Sequence, residues 1–481
     1  MKARLLVIFL VAVAVGALAT WFLFFRELPA EHLASDQEHF LYGSTGTEDP
    51  AGVPYWIWLV LPRVFPDLLP GPGGYASIGI IGQEGHELPV GFSKRVIGFE
   101  RVGINCALCH AGTYRLKASD NPIIVATAPS HQVSPQQYLR FLFACANDSR
   151  FNAKTILAEI DKNYRLSWLD RQLYRFALVP LTRRALLKQQ RVRNIYGWMK
   201  DNPPWGRGRI DPFNPIKYGI LKQPVDSSIG NSDMPPLWNQ KQHAGFAQHW
   251  DGLNGSLTEV VLTSAIGDGA SKKWVDADLK KSDSESSLKR IQKFITETQA
   301  PKYPLPINAG VAAKGQAIFE KECASCHAFG GAQTGKVDPI SDPSLLTDRH
   351  RIDMWTANAA NAYNDYASGY SWKFAAFVKR EGYVNVPLDG IWLRAPYLHN
   401  GSVPTLADLL EQPENRPKVF YRGYDVLDPL KVGFVTEGAE AARVGFRYDV
   451  SVPGNGNGGH LWGTKLSGDD KRALVEYMKT L

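Results

Sequence analysis

The chain has 481 residues, a formal net charge of +7 and only 5 Cys, and 44% of its residues are hydrophobic. This length predicts two or three domains, and the hydrophobic content excludes an intrinsically disordered chain as well as a small disulfide-stapled scaffold. The positive charge is mild and forms no basic arm, so we expect no nucleic-acid partner.

The N-terminus carries a long apolar segment. The run from Leu5 to Phe25 has 21 residues without a charge, close to the roughly 20 that cross a bilayer as a helix. Basic residues precede it, which predicts that the rest of the chain is exported. Cleavage after Ala17-Leu18-Ala19, as in a signal peptide, is the alternative and would leave a periplasmic protein. We expect residues 1–26 to be a transmembrane anchor in the bacterial inner membrane, with the protein on the periplasmic side.

Two copies of one cysteine motif carry the chemistry. They are Cys106-Ala107-Leu108-Cys109-His110 and Cys323-Ala324-Ser325-Cys326-His327. In the pattern C-x-x-C-H both thiols form thioethers to one porphyrin, and the imidazole of the next residue is the proximal iron ligand. A structural zinc site or disulfides would leave both histidines unexplained. The sequence therefore predicts two covalently bound haem c groups, with His110 and His327 as iron ligands.

The remaining chain is predicted to be mainly α, with extensive loops. The run Val53–Leu61 is too short to span a membrane and is either a core element or an interfacial patch. The stretch Arg165–Arg193 has eight basic residues and one acidic one, and faces solvent, lipid headgroups or an acidic redox partner. A polar run before residue 287 and a helix after it place the domain boundary near 300. We expect an N-terminal haem domain with a membrane-proximal extension (27–300) and a C-terminal haem domain (301–481).

Two helices should frame the second motif. A helix over 309–320 leads directly into Cys323. A second helix is capped by Ser467-Gly468-Asp469-Asp470 and has apolar residues at helical spacing, Ala473, Leu474, Tyr477 and Met478. In small c-type cytochromes such a terminal helix packs across the first one.

The two halves also have similar sequence patterns downstream of their haem motifs. The first half has Pro236-Leu237-Trp238-Asn239, then Gln248-His249-Trp250-Asp251-Gly252, then Ser256-Leu257. The second half has Leu388-Asp389-Gly390-Ile391-Trp392, then a corner His399-Asn400-Gly401, then Thr405-Leu406. Duplication of a one-haem unit explains this repeat.

At these residues the chain resembles the bacterial dihaem cytochrome c peroxidase superfamily, which includes the MauG-like oxidases and the dihaem rubber oxygenases. The string from Ala395 to Leu406, APYLHNGSVPTL, is the most diagnostic, and the likeness covers roughly 100–260 and 309–481. The resemblance implies two cytochrome-c-like domains with a haem on either side of their interface, one haem for chemistry and one for electron relay. It also makes a calcium ion between the domains possible, although no acidic loop motif supports one.

Departures from the family pattern point away from a simple peroxidase. The peroxidases place a catalytic Glu ten positions after a Gln; Gln248 matches the Gln, but Thr258 stands at the tenth position and Glu259 lies one step off. Where the peroxidases have a Met ligand for the second haem, this chain has Pro413. A C-terminal His ligand resembles the rubber oxygenases, so we predict His460 as the distal ligand of a bis-His, low-spin second haem.

The distal side of the first haem is less defined. His131 lies 21 residues after His110, near the place where peroxidases carry a displaceable His, and is either a ligand or a loop or surface residue; without it the iron is open. His243, His249, His350 and His399 are further pocket candidates. Trp205, in Pro203-Pro204-Trp205-Gly206, is a candidate inter-haem Trp, with a buried aromatic as the alternative.

Together these observations predict a membrane-anchored periplasmic dihaem oxidoreductase. Its first haem would activate peroxide or O₂ near Gln248 and Trp205, acting on an unknown organic substrate. Its second haem would relay electrons to or from a periplasmic or membrane carrier. The alternative is a non-catalytic electron-transfer protein in which both haems are six-coordinate, through His110 with His131 and His327 with His460.

Overall fold

The computed structural model describes residues 2–30, 33–192, 199 and 202–481. Helix accounts for 41% of the chain and strand for 11%. Arg193, the last residue of the basic stretch, lies outside the described residues.

The first half of the chain combines helices with a small sheet. The helices are α1 (Lys2–Phe24), α2 (Asp36–Tyr42), α3 (Glu48–Ala51), α4 (Tyr55–Val64), α5 (Ala107–His110), α6 (Pro135–Asn147), α7 (Ala153–Ile160), α8 (Trp168–Leu173), α9 (Val179–Val192), α10 (Leu257–Asp268), α11 (Lys272–Leu279) and α12 (Ser287–Glu297). The strands are β1 (Val53–Pro54), β2 (Phe92–Ile97), β3 (Phe99–Ile104), β4 (Ala111–Tyr114), β5 (Ile123–Ala126), β6 (Arg209–Ile210) and β7 (Ser232–Asp233). An antiparallel sheet in the order β1-β3-β2 leads the chain straight into the first haem motif.

The second half begins and ends with a helix. Its helices are α13 (Ala309–Glu322), α14 (Ala324–His327), α15 (His350–Met354), α16 (Ala357–Asp365), α17 (Leu406–Leu409), α18 (Gly438–Val444) and α19 (Gly468–Met478). Its strands are β8 (Val337–Pro339), β9 (Gly382–Val384), β10 (Val419–Arg422), β11 (Leu427–Asp428), β12 (Gly433–Phe434) and β13 (Phe446–Asp449). They pair antiparallel as β8-β9, β10-β13 and β11-β12.

The predicted fold class needs correction. The N-terminal apolar run does form a helix, α1, but among the described residues no helix is long and apolar enough to cross a membrane. The prediction of a transmembrane helix, and with it that of an inner-membrane anchor, is therefore wrong. Short antiparallel strand pairs also occur in both halves, whereas the predicted fold class had only helices and loops.

The run Val53–Leu61 belongs to the core. Helix α4 buries Ile57, Trp58, Val60 and Leu61 against α6 and α7, and the Trp58 indole donates a hydrogen bond to the Tyr138 hydroxyl at 3.0 Å. Buried aromatics of this kind contribute large apolar areas and satisfy their polar atoms locally. The interfacial alternative for this run is excluded.

The apolar core around the first haem motif draws on both halves of the chain. Cys106 and Ala107 pack in one cluster with helices α10 and α12, and the same cluster contains Trp355, Tyr363 and Phe377 from beyond residue 300. Farther along, Arg115 on the end of β4 pairs with Asp425. The boundary near 300 remains a prediction, and many contacts cross it.

Helices α13 and α19 pack across each other, as expected for a c-type cytochrome. Their closest approach is at Gly315, where a Cβ atom would lie 1.9 Å from the Ala473 carbonyl oxygen. One turn on, the rings of Phe319 and Tyr477 meet with centroids 5.2 Å apart. Only glycine allows this crossing, which holds the helix before the second haem motif against the end of the chain.

Candidate functional site

The second motif lies on the short helix α14, at the end of α13. The Nδ1 atom of His327 hydrogen-bonds the Val386 carbonyl oxygen at 2.7 Å. A ring nitrogen that donates to a backbone carbonyl leaves Nε2 as the lone-pair donor for a metal and fixes the orientation of the ring. His327 is therefore oriented as an iron ligand.

His460 lies opposite His327. Their ring centroids are 6.2 Å apart, with 39° between the ring planes. An iron bound by two imidazole nitrogens at about 2 Å each, with each ring centre about 1 Å farther back, separates the centroids by about 6 Å. Burial, with smaller contributions from His327 and Arg416, lowers the pKa of His460 to about 3, so its imidazole is neutral and able to ligate.

The loop that carries His460 is held by Arg416. This buried guanidinium donates hydrogen bonds to the carbonyl oxygens of Asn457 at 2.7 Å, Gly459 at 2.9 Å and His460 at 3.2 Å. His460 itself has a φ of 50°, an uncommon conformation for a residue other than glycine. Arg416 thus stabilises an otherwise costly turn at the position that faces His327.

An apolar pocket lies between the two imidazoles. Apart from the motif and His460, all of its lining side chains are apolar: Leu388, Ile391, Leu406, Leu409, Leu410, Trp462, Leu474 and Met478. Two cysteines, two facing imidazoles and an apolar lining fit a c-type haem. Such a lining provides no further acid or base, and an iron held by both His327 and His460 would have no open coordination site.

The first motif orients its histidine in the same way. The Nδ1 atom of His110 hydrogen-bonds the Pro235 carbonyl oxygen at 2.9 Å. Pro235 precedes Pro236-Leu237, as Val386 precedes Pro387-Leu388, so the two carbonyl acceptors occupy equivalent positions of the repeat. Burial lowers the pKa of His110 to about 4, and the imidazole is neutral.

The first site has polar side chains near its histidine. His249 lies close enough to His110 for their charges to interact, and the charge of Asp268, the last residue of α10, acts on Cys106 and Cys109. Burial raises the pKa of Asp268 to about 7. Burial lowers the pKa of His249 to about 3, with smaller contributions from Arg351 and His110. No sequence motif marks Asp268, and it was not among the predicted site residues.

Arg351 has unused hydrogen-bond donors near His249. It is buried and paired with Asp251, one nitrogen lying 3.1 Å from a carboxylate oxygen, while its Nε and Nη1 atoms have no hydrogen-bond partner. Buried N–H groups need an acceptor. A haem propionate would supply one, so the residues of the first site also fit a haem.

The repeat is confirmed at the level of backbone geometry. In the first half His249 and Gly252 have φ of 65° and 65°, and in the second half Leu398 and Gly401 have 68° and 63°. Each corner is closed by an antiparallel bridge, Gln248 with Asn254 and Tyr397 with Val403, and is followed by a helix with a Ser256 or Thr405 cap. His249 therefore occupies the position that Leu398 has in the second half.

The backbone before His131 contacts the first motif, since the Ser130 N–H donates to the Cys109 carbonyl oxygen at 3.0 Å. The His131 ring, however, stacks on Phe434 with centroids 3.8 Å apart, and its charged neighbours are Asp425, Arg422 and Arg207. His131 is buried. Trp205 packs in a small cluster with Met199 and Tyr218, which corresponds to the buried-aromatic alternative.

Gln248 and its neighbours do not form an acid–base pair. The side-chain amide of Gln248 donates to the Phe246 carbonyl oxygen at 3.3 Å. Glu259 accepts hydrogen bonds from the backbone N–H groups of residues 375 and 376, and Thr258 accepts one from Gln292. These contacts are structural, so the peroxidase pattern has no counterpart at Gln248, Thr258 and Glu259.

The other candidate histidines have contacts within the protein. His350 is 3.0 Å from an Asp348 carboxylate oxygen. His399 stacks on Tyr383 at 4.2 Å and His243 lies 3.6 Å from Asp389, and the Nε2 atom of each is buried without a hydrogen-bond partner. Trp250, which follows His249, donates its indole N–H to the Asp233 carbonyl oxygen at 2.7 Å and packs on side chains of the second half. Trp250 thus lies between the two halves of the chain, where Trp205 had been predicted as the inter-haem tryptophan.

Comparison with known proteins supports a c-type cytochrome. Residues 312–388 match the cytochrome c family model, and residues 382–421 match a model described as RoxA-like, cytochrome c-like. These matches imply covalently bound haem c and a haem-based redox function. The RoxA-like match is consistent with an oxidoreductase.

Two relatives come from Sinorhizobium fredii (strain NBRC 101917 / NGR234). The uncharacterized protein y4iM is 28% identical over 301 residues, which are 52% of this chain and 64% of y4iM. The uncharacterized protein y4iJ is 44% identical over 104 residues, 20% of this chain and 17% of y4iJ. The chain thus spans less than two thirds of the length of either relative.

No disulfide bond joins any two of the five cysteines. Among the residues that the structure describes, no group of three or more His, Cys, Asp or Glu side chains could hold a metal ion.

Proposed function

We propose that this chain is a dihaem c-type cytochrome oxidoreductase of the dihaem peroxidase superfamily, in its MauG-like or rubber-oxygenase-like branch. Haem on Cys106, Cys109 and His110 would react with peroxide or O₂. Haem on Cys323, Cys326 and His327 would relay electrons, with His460 as its second ligand.

The contrast between the two sites carries this proposal. Histidines 6.2 Å apart in an apolar lining suit an iron that only changes oxidation state. Near the first motif lie a carboxyl group with a pKa raised to about 7, an imidazole and a guanidinium with two unused donors. Groups that accept protons or balance charge are what the reduction of peroxide or O₂ needs, and the described lining of the second site has no such group besides its two histidines.

The proposed function also implies a cellular location, a redox partner and a substrate. Haem c is attached outside the cytoplasm, so we propose an extracytoplasmic location, with a periplasmic electron carrier as redox partner and an organic molecule as substrate. An interdomain calcium ion rests on family resemblance alone.

The test uses hydrogen peroxide as probe. We expect the fully reduced protein to be reoxidised by one equivalent of peroxide, with both haems changing in the absorption spectrum. The Cys106→Ser/Cys109→Ser variant, which keeps only the second haem, should react at least tenfold more slowly, and Cys323→Ser/Cys326→Ser should keep a fast first phase. Equal rates in the two variants, or no reaction with peroxide or air, would overturn the catalytic assignment.

A second function is favoured by one observation. The imidazole of His249 has a lowered pKa and lies near enough to His110 for their charges to interact; if it bound the first iron, both irons would be six-coordinate, as in an electron-transfer protein. A wild-type protein that reacts with neither peroxide nor O₂, yet exchanges electrons rapidly with a small redox dye, would establish this alternative.

A further inference from the structure

A groove outside the two haem sites lies between α9 and the start of α7. Its volume is about 640 Å³, in the range of small-molecule binding sites. The lining residues extend from Arg175, one turn before α9, to Lys188, and at a rise of ~1.5 Å per residue this is roughly 20 Å of helix. The groove is therefore long enough for an extended chain molecule.

The floor of this groove is apolar and recessed. Phe151 and Val179, which are each only 1% exposed, form its bottom, and Leu187 adds an aliphatic wall. Phe151 and Val179 also belong to the apolar cluster that contains Phe141 and Leu142 of α6, so the surrounding core holds them in place. An apolar chain lying on this floor would remove water from it, which is favourable.

The rim of the groove is positively charged. Arg175, Arg183, Arg184 and Lys188 line it, and no acidic side chain is among its described lining residues. Arg184 and Lys188 make no hydrogen bond or ion pair with any residue that the structure describes. They stand four positions apart on α9, a spacing at which like charges destabilise a helix. A bound anion would compensate for this repulsion.

The carboxylate beside the rim already has a partner. The charge of Asp148 acts on Arg183, but Arg150 donates a hydrogen bond to a carboxylate oxygen of Asp148 at 2.7 Å. Arg183 donates its Nε–H to the Ala146 carbonyl oxygen at 2.9 Å, which fixes its guanidinium beside the groove. The rim therefore keeps unneutralised positive charge for a ligand.

We infer that this groove binds an anionic amphiphile, a molecule with one carboxylate or phosphate head group and an unbranched apolar chain. The head group pairs with Arg184 and Lys188, whose N–H donors suit its oxygen atoms. The chain lies along the floor of Phe151, Val179 and Leu187. This site is separate from both haem motifs, and the inference does not depend on the proposed function.

Other occupants of the groove fit these observations less well. A second copy of this chain would bring a second basic rim against the first, and like charges repel. A bare phosphate would leave the apolar floor in water. A bilayer would contact the exposed side chains of Phe176 and Leu181, but its surface is too flat to reach floor residues that are 1% exposed. A single chain can enter the recess.

The test is isothermal titration calorimetry of the haem-loaded protein with dodecanoate, kept below its micelle concentration. We expect one saturable site in the wild type and at least about tenfold weaker binding in Arg184→Gln/Lys188→Gln, because the head group loses its charged partners. Arg165→Gln/Lys273→Gln is the matched control, since it removes the same charge from exposed residues outside the groove, and it should bind as the wild type does. Dodecyltrimethylammonium, which has the same chain and the opposite charge, should not bind.

A second variant tests the apolar floor with the rim intact. Ala153, the first residue of α7, lines the groove, so Ala153→Trp should fill it and weaken dodecanoate binding at least about tenfold. Hexanoate, with the same head group and a shorter chain, should bind the wild type at least about tenfold more weakly than dodecanoate does. Haem content and circular dichroism establish that each variant is folded.

Three results would overturn the inference. They are no saturable dodecanoate binding by the wild type, equal affinity in Arg184→Gln/Lys188→Gln and its control, and equal affinity for hexanoate and dodecanoate. A wild type that sediments with phosphatidylglycerol vesicles but does not bind dodecanoate would also overturn it, and would show that this surface docks on a bilayer instead. Loss of dodecanoate binding in Ala153→Trp, with its peroxide reaction unchanged, would support a site independent of the haem chemistry.

Discussion

The two haem motifs show how one local chemistry is built into two different surroundings. Both proximal histidines direct Nδ1 to the carbonyl of a residue that precedes Pro-Leu. The second motif follows a helix, α13, that is clamped by the terminal helix α19, whereas the first follows the hairpin β2–β3. The orientation of a proximal histidine thus depends on the motif and one carbonyl acceptor, and not on the element that precedes it.

The two sites differ in the residues around the motif. Leucines and the distant loop of His460 line the second site, while the corner residue His249 and Asp268, at the end of α10, lie near the first motif. The two sites are thus alike in their proximal histidines and differ in the side chains that surround them.

The largest expected effect comes from removing either cysteine pair. Cys106→Ser/Cys109→Ser and Cys323→Ser/Cys326→Ser should each lower the haem-to-protein ratio from two to one, because both thioethers to one porphyrin are lost. The ratio is measured from the haemochrome spectrum after denaturation and from the mass of the intact chain. A ratio of two in either variant would show that the halves do not each bind one haem.

The next largest effect is expected at the crossing of helices α13 and α19, which lies beside the second motif. Gly315→Ala should lower the free energy of unfolding by about 3 kcal/mol, because the new Cβ would overlap the Ala473 carbonyl oxygen. Gly310→Ala, in the same helix with its nearest neighbouring atom at 3.6 Å, is the control and should gain up to about 1 kcal/mol of helix stability. Denaturant unfolding followed at the second haem measures both; equal effects would refute the crossing.

Arg416 should matter only at the second site. Arg416→Gln removes donors from buried carbonyls of the His460 loop and should cost about 2 kcal/mol. We expect part of the second haem to become high-spin in the EPR spectrum while the first is unchanged. Arg416→Lys should restore part of the low-spin signal, and an effect confined to the first haem would contradict the assignment.

The smallest expected effect is a pH dependence of the free energy of unfolding that originates in the first half. Burial raises the pKa of Asp268 from 3.8 to about 7, so the folded protein binds a proton there that the unfolded chain has lost. The stability that this group contributes is present below pH 4 and is lost as the pH rises through about 7. Asp268→Asn should reduce this decline, measured by unfolding at several pH values.

Asp283→Asn serves as the control for that change, because the Asp283 carboxyl is 93% exposed. It should leave the pH profile as in the wild type. The spectrum of the second haem should also be unaffected by Asp268→Asn, since the described lining of its cavity has no carboxyl group. A decline that persists in Asp268→Asn would assign the pH dependence to another residue.

Much of the structure of the second half was predicted from the sequence. The helix before Cys323, the capped terminal helix and the choice of His460 over Pro413 all rest on short-range patterns, and the structure has both helices and places His460 opposite His327. The first half was harder. His131 was chosen by its spacing from His110, but spacing does not reveal that its ring turns toward Phe434.

The sequence by itself determined the two cysteine motifs, their proximal histidines and the repeated corner, because these depend on residues that are adjacent or a few positions apart. Tertiary structure decided which residues face each motif: His249 and Asp268 reach the first, and His460 reaches the second across more than 130 positions. Such contacts depend on how distant segments pack, and periodicity and local spacing contain no information about that packing.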